Sequence, residues 1–127
     1  MKIAKVDEYE IIFDNGNTIW YRHYADCCEW NFADFSILDE RTVNYDYDFD
    51  ENLIFNMIEC EGFTFGNEGH LIFIPCYSYQ NGYYSSDINI FYNDTEVLHG
   101  ECEGLHDYYD YDKFNEIQER WIEHERR

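Results

Sequence analysis

The sequence predicts an α+β domain: a small antiparallel β-sheet of five to seven strands followed by one C-terminal helix. Apolar segments with the two-residue period of strands recur between residues 5 and 92. Asn-Gly pairs at Asn15-Gly16 and Asn81-Gly82 favour two-residue hairpin turns. The last segment has apolar residues at helical spacing, and a helix after a run of strands is typical of the α+β class.

The strands are located by local patterns. They are predicted at residues 10–13, 18–21, 27–35, 53–60, 62–65, 71–79 and 84–92. Asn15-Gly16 joins the first two as a hairpin, and Asn81-Gly82 joins the last two as a second hairpin. Pro75 cannot donate to a strand ladder and therefore indicates an edge position or a bulge.

The chain length of 127 residues fits a single domain. Residues 1–92 form the predicted β-sheet core, and residues 93–127 form an acidic tail that ends in the C-terminal helix. Asp112 is a suitable N-cap for that helix. Its apolar face is predicted to consist of Phe114, Ile117, Trp121 and Ile122.

Charge is the dominant feature of the composition. The chain has 28 Asp and Glu against 8 Lys and Arg, a net charge of −20. Residues 42–112 contain 15 acidic residues and no Lys or Arg. Such a field repels nucleic acid and anionic membranes and attracts basic partners. Direct binding to DNA or RNA is therefore excluded, and a basic protein partner is expected.

The sequence indicates a cytoplasmic protein. It has no apolar run long enough to span a membrane, and its first ten residues, MKIAKVDEYE, are charged where a secretory signal would be apolar. Its five cysteines are an odd number, which fits free or metal-bound thiols better than a disulfide framework.

Two clusters have residue types that bind zinc. The first is His23, Cys27 and Cys28, and the second is His99, Cys102 and His106. A metal could order the acidic tail, residues 93–127, that contains the second cluster. The alternative for the first cluster is that one cysteine is buried as a small hydrophobe and His23 is a hydrogen-bonded sheet residue.

No catalytic residues are predicted. Cys27 or Cys28 could act as a nucleophile with His23 as its base, but a strongly negative surface raises thiol pKa values and opposes thiolate formation. The sequence has neither a phosphate-binding glycine loop nor a serine nucleophile motif. The protein is therefore not expected to be an enzyme.

Alternating acidic and aromatic residues are the best candidates for partner binding. Tyr45, Tyr47 and Phe49 alternate with aspartates, a period that places aromatics on one face and carboxylates on the other. The predicted binding residues are Asp46, Asp48, Asp50, Glu51, Asp107, Asp110 and Asp112. Rows of carboxylates imitate phosphates. The alternative is an ordinary solvated surface, but such surfaces mix charges of both signs.

Two motifs resemble a small domain family found in phage and bacterial genomes. Its members have His-x-x-Asp-Cys-Cys-Glu early and Asn-Gly-Tyr-Tyr-Ser late, which are similar here to residues 23–29 and 81–85. The resemblance covers roughly residues 5–92 and implies a phage or mobile-element origin, with no settled activity.

In that setting a small, strongly acidic chain is similar to anti-CRISPR inhibitors and to DNA mimics that block restriction. The resemblance implies a phage-encoded inhibitor that acts in the host bacterial cytoplasm, with a structural zinc. Its expected partner is a guide-loaded type II CRISPR nuclease, whose binding or loading of target DNA it would block. The alternatives are a small metal- or thiol-dependent enzyme and a host-takeover adaptor that binds another basic protein.

Overall fold

The structure, a computed structural model, describes residues 1–22, 25–26, 29–38, 43–80 and 85–104. The strands are β1 (Ile3–Val6), β2 (Glu10–Phe13), β3 (Thr18–Tyr21), β4 (Ala25–Asp26), β5 (Glu29–Ala33), β6 (Ile54–Ile58), β7 (Gly62–Asn67), β8 (His70–Gln80), β9 (Asp87–Tyr92), β10 (Thr95–Glu101) and β11 (Glu103–Gly104). The helical elements of these residues are a 3-10 turn at Phe35–Ile37 and one α-helical turn, α1 (Val43–Asp46).

The strands form two sheets. The first is antiparallel, with the order β1-β2-β3-β9-β10. The second has the antiparallel order β4-β5-β8-β7-β6, and β11 pairs with β8 in parallel. Buried side chains from both sheets belong to one hydrophobic core, which is the arrangement of a β-sandwich.

The predicted α+β class is wrong. The described residues form two sheets rather than one small sheet, and none of them lies in a helix longer than a single turn. The predicted C-terminal helix, from Asp112 through Phe114, Ile117, Trp121 and Ile122, lies outside the described residues. The sequence showed strands but not their division into sheets, because strand partners such as β3 and β9 are far apart in the chain.

One predicted hairpin is confirmed and the other is wrong. β2 and β3 pair across the turn that contains Asn15-Gly16. The loop has three residues, 14–16, rather than the predicted two, because Phe13 N–H donates to Asn17 O at 2.8 Å. β8 and β9, which flank Asn81-Gly82, lie in different sheets. The first sheet also continues past residue 92, because β10 pairs with β9 across a turn in which Asn93 has a φ of 54°.

Pro75 lies inside β8, in the middle of the second sheet, and not on an edge strand. There β8 changes partners: its first half pairs with β7 as far as Pro75, and its second half pairs with β5 from Cys76 onward. The Pro75 carbonyl accepts from Asp34 N–H at 2.8 Å. In an antiparallel strand the nitrogen of a residue points to the same side as its carbonyl. The Pro75 nitrogen, which has no hydrogen to donate, therefore faces the end of β5. The β5–β8 pairing stops there at Cys76, so the proline removes no hydrogen bond from it.

The core consists mainly of phenylalanine and isoleucine side chains and fills the space between the sheets. The first sheet contributes Phe13, Ile11, Ile19, Ile88 and Ile90, and the second contributes Phe32, Phe63, Phe65, Ile72 and Ile74. The connections add Phe35, Leu38 and Phe49. Along β2 and β3 the buried positions alternate with partly buried ones, as expected for strands with one buried face.

Two glycines near the β7–β8 turn give a test of this geometry. Gly66 and Gly69 both have positive φ, 148° and 82°, but a Cβ at Gly66 would lie 2.1 Å from His70 O, whereas one at Gly69 would meet nothing within 4 Å. We expect Gly66→Ala to lower the free energy of unfolding by more than about 3 kcal/mol and Gly69→Ala by about 1 kcal/mol. Urea denaturation measures both, and equal losses would contradict the close approach of β7 and β8.

Candidate functional site

The acidic segment, residues 45–51, has the predicted alternation. Its aromatic side chains face the protein, with Phe49 buried and Tyr45 and Tyr47 partly buried. The exposed side chains are those of Asp46, Asp48, Asp50 and Glu51. The segment begins at the end of α1 and continues as irregular chain, so its alternation comes from side-chain burial and not from a strand ladder.

Aromatic contacts fix the inner side of the acidic segment. The Phe49 ring lies 5.7 Å from the Phe13 ring of the first sheet and 5.8 Å from the Phe65 ring of the second. The Tyr47 ring stacks on His70 with a centroid distance of 3.7 Å and an interplanar angle of 5°. These contacts leave the intervening Asp48 carboxylate on the surface, where its side chain is 76 % exposed.

Polar contacts fix the backbone of the acidic segment. The Met1 amino group donates to Asp48 Oδ1 at 2.6 Å and to Phe49 O at 2.7 Å. Tyr92 Oη donates to Glu51 O at 2.8 Å. The Asn67 side chain accepts from Asp50 N–H at 2.7 Å and donates to Asp50 O at 3.3 Å. The carboxylates are therefore presented on an anchored backbone.

The electrostatics of Asp48 follow from its contact with the amino terminus. The hydrogen bond from the Met1 ammonium, and then its positive charge, lower the pKa of the Asp48 carboxyl. A carboxyl that is held by a cation keeps its negative charge at lower pH. Asp48 is therefore charged throughout the neutral range, although part of its charge is compensated locally.

The negative surface extends well beyond this segment. Every Asp and Glu side chain that the structure describes between residues 43 and 104 is exposed, and this stretch contains no Lys or Arg. The carboxylates that flank the second sheet at its two ends are Asp50, Glu51 and Glu68 at one end and Glu59, Glu61, Glu101 and Glu103 at the other.

A second group of carboxylates was missed by the sequence analysis. The sequence Glu-Cys-Glu-Gly occurs twice, at 59–62 and 101–104, and we call these residues the ECEG pair. The structure brings the two copies together: Cys60 N–H donates to Glu101 O at 2.9 Å, and Glu101 N–H donates to the Glu59 carboxylate at 3.0 Å. The repeated four-residue sequence was the signal that could have identified them.

The second metal cluster is not assembled by the described residues. His99 is exposed, with its Nε2 3.6 Å from Asp87 Oδ2, whereas Cys102 is buried. Where side chains can be described, no group of three His, Cys, Asp or Glu could hold a metal. The predicted residues His23, Cys27, Cys28, His106, Asp107, Asp110 and Asp112 lie outside the described residues.

Cys102 instead lies beside another thiol. The parallel pairing of Glu103 with Tyr77 puts Cys102 next to Cys76, and both cysteines are buried and free. The hydrogen bond with Cys102, and then burial, raise the pKa of the Cys76 thiol. A buried thiol with a raised pKa stays protonated and is not a nucleophile, so this pair belongs to the core.

Comparisons of the chain with protein-family models, with curated proteins and with solved structures found no match. In the described part of the chain, no helix has the length and apolar content needed to cross a membrane.

Thiol reactivity tests the placement of the cysteines. We expect iodoacetamide to alkylate Cys60 in the folded protein, because it is exposed, and to modify Cys76 and Cys102 only after unfolding, because they are buried. Peptide mass spectrometry measures each site separately. Alkylation of Cys76 at the rate of Cys60 would contradict the buried pair.

Zinc at His23, Cys27 and Cys28 stays a prediction, and the metal content of the purified chain tests it. We expect zinc to co-purify with the protein, to be lost from the Cys27→Ser/Cys28→Ser variant and to be retained by Cys102→Ser, which makes the same chemical change at a core cysteine. A chain purified without zinc, or equal loss from both variants, would contradict the prediction.

Proposed function

We propose that the protein is an acidic interaction protein that binds a positively charged, nucleic-acid-binding surface of another protein and keeps nucleic acid out of it. One observation supports this most directly: the stretch from residue 43 to 104 contains no Lys or Arg, and every Asp and Glu side chain that the structure describes in it is exposed. The positive charges of the Met1 ammonium and Lys2 act on Asp48 from the start of the chain, and the acidic segment is held on an anchored backbone. Mixed charges are the norm on a surface that has only to be soluble.

The anchoring matters because a binding surface gains from being formed in advance. A flexible acidic tail loses conformational entropy when a partner orders it. In the acidic segment Phe49 is already buried and the Asp50 backbone is already hydrogen bonded to Asn67. Its carboxylates can therefore meet a row of basic side chains with little further ordering.

The partner that we propose is a guide-loaded type II CRISPR nuclease. Such a nuclease holds nucleic acid in a positively charged channel, and that channel is complementary in charge to this surface. The mechanism is competition, because an acidic protein in the channel or at its entrance excludes target DNA. The protein would be phage-encoded and would act in the host cytoplasm.

The net charge of −20 adds long-range steering to this mechanism. Opposite charges on two proteins accelerate their encounter, and salt screens the effect over about 10 Å at roughly 0.1 M ionic strength. An inhibitor must reach the nuclease before DNA does. Fast, salt-sensitive association is therefore part of the proposed function.

Neutral, isosteric substitutions in the acidic segment test the proposal. We expect Asp46→Asn/Asp48→Asn/Asp50→Asn to slow association with the guide-loaded nuclease by about tenfold at low salt and to weaken its salt dependence, because three steering charges are removed. Surface plasmon resonance over a series of salt concentrations measures both, and DNA cleavage assays measure the loss of inhibition.

The control variant is Asp87→Asn/Asp94→Asn/Glu96→Gln, which removes the same charge from the first sheet. We expect it to change association much less than the acidic-segment variant. Equal effects of the two variants would show that only net charge matters and would refute a binding role for the acidic segment. Unchanged association in the acidic-segment variant at every salt concentration would refute it as well.

A further inference from the structure

An apolar patch lies on the outer face of the part of the second sheet that is formed by β6, β7 and β8. Among the described residues, four of the five exposed large hydrophobic side chains lie there: Leu71 is 49 % exposed, Ile54 43 %, Phe73 41 % and Ile58 36 %. We call these four residues the apolar patch. Isolated exposed hydrophobics are ordinary, whereas a contiguous group on one face marks an interaction surface.

The strand register shows how the apolar patch is built. Ile54 of β6 and Leu71 of β8 both pair with Gly66 of the intervening strand β7, and Phe73 pairs with Thr64. The positions of β7 on this face alternate with the buried Phe63 and Phe65. Because β7 contributes glycines and a threonine here, the larger side chains of β6 and β8 stand on either side of a shallow trough. On β6 the exposed Asn56, which pairs with Thr64, lies between Ile54 and Ile58.

Carboxylates lie at both ends of the apolar patch. β6 begins shortly after Asp50 and Glu51 and ends immediately before Glu59. Its five residues span roughly 13 Å at about 3.3 Å per residue. Glu68, in the β7–β8 turn, adds a carboxylate at the first end, and the ECEG pair adds carboxylates at the second.

This charge distribution argues against a second copy as the occupant. Two patches related by a twofold axis would bring acidic ends against acidic ends in either orientation, because both ends are negative. Like charges that face each other across an interface cost several kcal/mol. The same carboxylates repel an anionic membrane surface.

We infer that the apolar patch is the centre of the partner interface, and that its partner is a protein surface with apolar side chains flanked on both sides by Lys or Arg. The partner's apolar groups enter the trough along β7, and its basic groups pair with the acidic segment at one end and the ECEG pair at the other. An apolar centre with a charged rim is the usual anatomy of a protein interface. The inference rests on the proposed function in one respect, the positive charge of the partner.

Short synthetic peptides test the inference without the nuclease. The probe is a peptide in which Leu and Phe are flanked by Lys, and the two controls replace either its apolar residues with Ser or its Lys residues with Glu. We expect the first peptide to bind about tenfold more tightly than either control, a difference of about 1.4 kcal/mol. Two-dimensional NMR titration measures the affinities and locates the shifted residues.

Matched variants identify the surface that is used. We expect Leu71→Thr/Phe73→Thr, which keeps strand-forming residues in β8, to lower the affinity for the apolar basic peptide to that for the Ser-substituted control. Tyr9→Thr removes a comparably exposed aromatic, 44 % exposed, outside the apolar patch and should leave the affinity unchanged.

Three results would overturn the inference. Equal affinity for the apolar and Ser-substituted peptides would mean that charge alone binds, and equal affinity for the Lys and Glu peptides would mean that the rim does not select charge. Sedimentation of the wild type as a dimer and of Leu71→Thr/Phe73→Thr as a monomer would mean that a second copy covers the patch.

The peptide experiment is independent of the proposed partner. Failure of the nuclease assays alone would refute the type II CRISPR nuclease as the partner and would leave the peptide result standing.

Discussion

The acidic segment depends on the burial of one side chain, Phe49, between the two sheets. Its ring contacts Phe13 of the first sheet and Phe65 of the second, so the segment that contains it is tied to both. Full burial of a phenylalanine is worth about 2–3 kcal/mol, enough to hold a short irregular segment in place. With Phe49 inside, the alternation of residues leaves Asp48 and Asp50 outside. The packing of Phe49 in the core therefore also places the Asp48 and Asp50 carboxylates on the surface.

In the proposed function the two sheets have different roles. The inner faces share one hydrophobic core, whereas the outer face of the second sheet exposes the apolar patch between two groups of carboxylates. Negative charge gives fast and salt-dependent encounter, and apolar area gives slower dissociation once the partner is bound. A nucleic-acid mimic that used charge alone would bind many basic proteins, so the apolar centre offers a source of specificity.

Local patterns were predictable from the sequence, and long-range pairing was not. The first hairpin and the alternation of residues 45–51 follow from neighbouring residues. The division into two sheets depends on pairs such as Ile19 with Tyr92, which no local pattern specifies. The apolar patch was hidden because the continuous run LIFIPCYSY at 71–79 resembles a strand buried on both faces. The ECEG pair was detectable as a repeat in the sequence. That its two copies lie side by side depends on hydrogen bonds between the ends of β6 and β10, which the sequence does not show.

The most direct test of the account is an order-of-addition experiment on size exclusion at near-physiological salt, with a guide-loaded type II CRISPR nuclease, target DNA and this protein. The account predicts that the protein co-elutes with the nuclease when added before DNA, and that the complex then takes up no DNA. Co-elution of all three components, or no co-elution in either order with several such nucleases, would contradict the claim that this acidic surface occupies the path of the nucleic acid.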